Sequence, residues 1–78
     1  MCLAVPLKVL QIENGMATVD FYGARRKVSL LILPEEVAVG DYVLVHAGFA
    51  MRRVDETAAL ETLDLLKAMS LLPAEESI

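Results

Sequence analysis

Through the first two thirds of the chain, apolar positions recur at every second residue, the period of strands with one buried face. Between residues 3 and 12, Leu3, Val5, Leu7 and Val9 alternate with Ala4, Pro6 and Lys8, which predicts a first strand. The parity slips after Val9, where Leu10 and Ile12 flank Gln11, and the slip predicts a bulge or barrel bend. Pro6 has no amide hydrogen to donate, so this strand begins at an edge or in a loose pairing. Glu13-Asn14-Gly15 is a hairpin turn, because Asn-Gly accepts positive φ at both central positions. Met16 to Phe21 forms a second strand with Ala17, Val19 and Phe21 on one face. Tyr22-Gly23-Ala24-Arg25 reads as the next turn and Arg26 to Leu33 as a third strand, with Val28, Leu30 and Ile32 sharing a face. Leu33-Pro34-Glu35-Glu36 breaks the run. A strand over Tyr42 to Ala47 then sets Val43 and Val45 against Tyr42, Leu44 and His46. Gly48 bends the chain into a short last strand, Phe49 to Val54.

Five short strands separated by glycine-bearing turns predict a mainly β fold, a small, partly open OB-like β-barrel, with an SH3-like barrel as the alternative. The period changes at Asp55, a helix N-cap followed by Glu56 near the positive end of the dipole. Ala59, Leu63 and Leu66 form the apolar stripe of a C-terminal α-helix, flanked by Leu60 and Met69, with Leu65 off the stripe. Lys67 suits its last turn, and the helix should end before Pro73. The chain reads as one domain, with the OB-like barrel over residues 1–54 and the C-terminal helix and a flexible acidic tail over 55–78.

At 78 residues the chain buries only about 60–65% of its unfolded surface. Yet 56% of its residues are hydrophobic, so apolar side chains remain outside, either scattered or gathered into a binding face. Eleven acidic against 7 basic residues give a net charge of −4. That balance argues against a nucleic-acid partner, which needs phosphates neutralised, and the 5% aromatic content leaves few platforms for stacking bases. Arg25-Arg26-Lys27 and Arg52-Arg53, the basic clusters, are turn or sheet-edge charges rather than a nucleic-acid patch. No run is long and apolar enough to span a bilayer, and no signal segment opens the chain. The expectation is a cytoplasmic protein with no membrane partner.

Hydrolytic and nucleotide motifs are missing, so standalone catalysis is not expected and the chain is not read as an enzyme. Glu35-Glu36 and Glu75-Glu76 lie in breaker and tail segments and read as solvated. With one His and one Cys, the chain cannot complete a four-ligand site of nitrogen and sulfur donors. Loss of Met1 would leave a thiol and a free α-amine together on Cys2, a possible N,S chelate; the alternative is an inert terminal cysteine. His46, at a strand end, is either a hydrogen-bonded structural residue or a ligand. Gly48 permits close approach of a partner's backbone, and Phe49 is either a core plug or an exposed anchor.

Two stretches carry a family resemblance. Met1-Cys2-Leu3-Ala4-Val5-Pro6 is similar to the N-terminal signature of the HypC/HybG/HupF hydrogenase maturation chaperones. Gly40-Asp41-Tyr42-Val43-Leu44-Val45-His46-Ala47-Gly48-Phe49-Ala50 resembles their second hallmark, and Asp55 to Leu63 resembles the start of their C-terminal helix. The resemblance implies an OB-like barrel followed by a helix. It also implies work on [NiFe]-hydrogenases: binding the maturation protein HypD and the large-subunit precursor, and helping to assemble and deliver an iron that carries cyanide and carbonyl ligands. In that picture no cofactor is permanently bound. Cys2 is a transient iron ligand, His46 a possible one, and Cys2, Leu3, Pro6, His46, Gly48, Phe49 and Ala50 meet the partners. An OB-type module binding nucleic acid or the ribosome is the alternative function.

Overall fold

The computed structural model describes residues 5–69. Its strands are β1 (Pro6–Glu13), β2 (Met16–Phe21), β3 (Ala24–Ser29), β4 (Tyr42–His46) and β5 (Phe49–Val54), followed by one helix, α1 (Glu56–Ala68). The strands are ordered β1-β2-β3-β5-β4, and β4 pairs back onto β1 to close the barrel. Neighbouring strands run antiparallel except β3 and β5, which run parallel. This is the mainly β, OB-like barrel with a C-terminal helix that the sequence predicts. The parity slip in β1 is a register shift between Val9 and Gln11, which leaves Leu10 without a partner on β2. Pro6 opens β1 opposite Leu44, a position where a missing amide hydrogen interrupts little of the ladder.

Three hairpins turn on two residues each, Asn14-Gly15, Tyr22-Gly23 and Ala47-Gly48, and all six residues have positive φ. Such turns match the right-handed twist of the strands they join. The third strand differs from the expected Arg26–Leu33. Its turn is complete at Gly23, helped by the Asp20 carboxylate accepting from the Gly23 amide at 3.1 Å, so pairing resumes at Ala24. It stops at Ser29 because the Ser29 hydroxyl accepts from the Leu31 amide at 3.1 Å and the Leu30 carbonyl accepts from the Leu33 amide at 3.1 Å. These local bonds turn the chain out of the ladder. Leu30 still packs on the core, but Ile32, expected on the same face, is 50% exposed. Ala47, expected to end the fourth strand, belongs to the turn.

Val9, Ala17, Val19, Val28, Val43 and Ala50 are fully buried and form the core. Leu30, Leu33 and Val37, from the segment between β3 and β4, pack against it together with Ile12. That segment is tied down by two carboxylates: Asp41 accepts from the Ala38 amide at 2.9 Å, and Glu35 from the Arg53 amide at 3.4 Å. Glu35 therefore does more than the solvated carboxylate read from sequence, linking the segment to β5.

Helix α1 starts as its sequence dictates. The Asp55 carboxylate accepts from the amides of Thr57 and Ala58, satisfying two donors that the first turn leaves without helical partners. Ala59 and Leu66 are buried and Leu63 is half-buried, which confirms the stripe, while Leu65 is 60% exposed. Leu60 and Leu63 share a groove with Pro6, Phe21 and Tyr42, so the helix lies over the start of β1. The tail expected after α1 falls outside the described residues. Truncating Leu66→Ala is expected to cost about 2–4 kcal/mol in urea unfolding, and Leu65→Ala less than about 0.5 kcal/mol. Equal effects would mean that the helix does not use this stripe against the barrel.

Candidate functional site

Residues of the second sequence hallmark fold into the β4–β5 hairpin. His46 and Phe49 are directly opposite across its last pair, so their side chains project from the same face. The next pair inward, Val45 and Ala50, faces the core, with Ala50 fully buried. His46 is exposed and Phe49 is 38% exposed. Phe49 is therefore an outer-face aromatic and not a plug of the barrel. Ala50, expected among the partner contacts, instead supports the hairpin from within.

Between the two strands, Ala47 and Gly48 have φ of 55° and 85°. A Cβ on Gly48 would meet nothing within 4 Å, so backbone conformation and not space reserves this position for glycine. Ala47 has no such freedom, and its left-handed conformation costs about 1–2 kcal/mol. The turn has a second task. The Gly48 carbonyl accepts from the Ser29 amide at 2.8 Å, next to Ser29–Phe49, the one register position joining β3 to β5. The hairpin that presents His46 and Phe49 therefore also closes the barrel.

The chain enters the barrel beside this hairpin. Pro6 lies opposite Leu44, two residues before His46, and is buried. Val5 lines a cavity of about 350 Å³ with Leu7, Phe21 and Val45, rimmed by Ala47, Gly48 and Arg26. Of the residues expected at the site, Pro6, His46, Gly48, Phe49 and Ala50 thus gather around one hairpin, although Pro6 and Ala50 are buried. Cys2 and Leu3 lie outside the described residues. Among the described residues, no three His, Cys, Asp or Glu side chains come together as a metal site, and no helix is long and apolar enough to cross a membrane. The cavity itself was not foreseen. Its lining comes from β1, β2, β3 and β4, and only the neighbouring run Arg25-Arg26-Lys27 gave any local signal.

The HupF/HypC family model matches residues 1–66, which takes in both hallmarks, the barrel and most of α1. The chain belongs to the HupF/HypC family. Hydrogenase maturation factor HypC of Helicobacter hepaticus is 50% identical over 66 residues, covering 83% of this chain and 77% of that protein. HypC of Azotobacter chroococcum mcd 1 is 37% identical over 76 residues, covering 97% and 90%. HypC of Escherichia coli K12 is 39% identical over 74 residues, covering 88% and 82%.

The turn's backbone can be tested directly. Ala47→Asn suits the left-handed first position of such a turn and is expected to add about 0.5–1 kcal/mol of stability. Gly48→Ala is expected to remove about 1–2 kcal/mol. Denaturant unfolding of the two variants reads both, and the opposite ordering would show that the turn has another conformation in solution.

Proposed function

We propose that this member of the HupF/HypC family is a cytoplasmic chaperone of hydrogenase maturation, not an enzyme. In this reading it binds HypD and the hydrogenase large-subunit precursor, and its Cys2 thiolate holds the iron carrying cyanide and carbonyl ligands while that unit is assembled and passed on. The observation that carries the reading is the family match over residues 1–66, together with relatives named as hydrogenase maturation factors. The geometry supports it. Cys2 is three residues from Val5, within a covalent reach of about 10 Å, and Val5 shares a cavity with the turn that follows His46. A thiolate is a suitable soft donor for iron whose remaining positions are occupied by diatomic ligands and by a partner. His46 is proposed to lie near the iron unit or HypD, and Phe49 to be an anchor for HypD.

Cys2→Ala removes the soft donor with little change in size. A strain carrying only this variant is expected to lose hydrogenase activity, while the purified protein unfolds like the parent. Normal activity in that strain would reduce Cys2 to a passenger. Phe49→Ala is expected to weaken HypD binding by about tenfold or more, the effect of truncating an aromatic anchor. Calorimetric titration measures it; an unchanged affinity would exclude Phe49 from the contact.

A further inference from the structure

The basic run Arg25-Arg26-Lys27 touches the hairpin site only through Arg26 at the cavity rim, although it holds 3 of the chain's 7 basic residues on an acidic protein. It lies within β3. That strand pairs with β2 from Ala24 to Ser29, but among the described residues it meets β5 only at Ser29 opposite Phe49. The opposite edge of β3, from Ala24 to Val28, therefore has no strand beside it among the described residues. Ala24 and Arg26 instead border the 350 Å³ cavity, whose far side is Val5, Val45 and the Ala47-Gly48 turn.

We infer that this edge accepts one more strand, an extended segment of a partner protein in which apolar and acidic residues alternate. The pattern follows from the pleat. Ala24, Arg26 and Val28 share the face of β3 that carries the buried Val28, and Arg25 and Lys27 face outward. An added strand would direct one set of side chains into the apolar mouth and the other alongside Arg25 and Lys27. Its main chain would hydrogen-bond to the edge, and its carboxylates would meet like-spaced cations.

Nearby acids do not cancel this charge at the edge. Asp20 approaches Arg25 at 3.9 Å, but Arg25's side chain stays 69% exposed; Glu13 shares a hollow with Lys27. Both acids belong to β2 or β1, on the other side of β3. Charged residues on an open edge also prevent self-pairing. Here the charges have one sign, so the residues that repel a second copy's β3 attract an acidic strand. The apolar mouth favours a protein strand over a nucleic acid. This inference does not depend on the iron-handling reading, and its test uses no hydrogenase.

The probe is a fluorescein-labelled, acetylated ten-residue peptide alternating valine and glutamate, titrated against the full chain by fluorescence anisotropy. Saturable binding is expected, with amide shifts in Ala24–Val28 by NMR. Two comparisons on the wild-type chain, one truncation and one pair of substitutions decide the case. N-methylating alternate peptide bonds on the edge-facing side should abolish binding. Arg25→Glu with Lys27→Glu should weaken the valine–glutamate peptide by about tenfold or more and admit a valine–lysine peptide instead. Absent binding, or undiminished binding of the N-methylated peptide, would overturn the strand-addition proposal. So would tighter binding of single-stranded oligonucleotide to the same residues, or peptide binding that appears only after residues 74–78 are removed, which would assign the edge to the chain's own acidic tail.

Discussion

The hydrogen bond from the Ser29 amide to the Gly48 carbonyl joins the first three strands to the last two on the side where the barrel is thinnest. One register position joins β3 to β5 across this seam, so the backbone at Ala47-Gly48 has little latitude. To reverse the chain within two residues and still aim the Gly48 carbonyl at β3, both residues take positive φ. Glycine adopts that conformation without penalty, whereas alanine adopts it under strain that the surrounding pairs must offset. Strained residues held this firmly cluster at binding surfaces, because a rigid turn loses little further freedom when a partner docks. The same constraint positions the His46–Phe49 face and the rim of the cavity.

The core accounts for the high apolar content. A five-stranded barrel has a narrow interior, and its fully buried members are all valine or alanine. Each buried valine stabilises the fold by about 1.5–3 kcal/mol relative to exposure, and larger residues would overfill the barrel. The larger aliphatics are consequently displaced to the ends and outside. Leu31, Leu65 and Met69 are all more than half exposed. The sequence therefore combines a small, tightly packed interior with an apolar exterior, and charges prevent that exterior from associating indiscriminately.

Most of the architecture was legible because strands and helices of this barrel each have one buried face. The alternation in Met16–Phe21 and Phe49–Val54 located β2 and β5 to the residue, and the parity slip after Val9 located the bulge. Asp55 and the Ala59–Leu63–Leu66 stripe located α1 and its packing face. The end of β3 was not legible. Val28, Leu30 and Ile32 continue the alternation past Ser29, but a serine hydroxyl and a short turn bend the backbone away, and such local bonds leave no trace in a hydrophobic pattern. The hallmark stretch marked the hairpin but not the direction of each side chain: Phe49 emerged outside and Ala50 inside. The cavity escaped notice because it depends on which strand edges face each other across the seam.

The proposed role divides between two parts of the chain. His46 and Phe49 sit on a hairpin fixed by the seam, whereas the thiol of Cys2 lies upstream of the first strand, joined through Val5. Under the proposed reading this chain contributes one thiolate bond to the iron rather than a cage. That limitation suits transfer. A closed site binds its metal through several bonds, all of which must break before release, and its affinity resists delivery. A carrier with one thiolate can surrender its cargo by exchanging that single bond for a donor on the receiving protein. Under the same proposal the hairpin would hold the two proteins in register during the exchange, so affinity for the partner and affinity for the metal would be set by different residues.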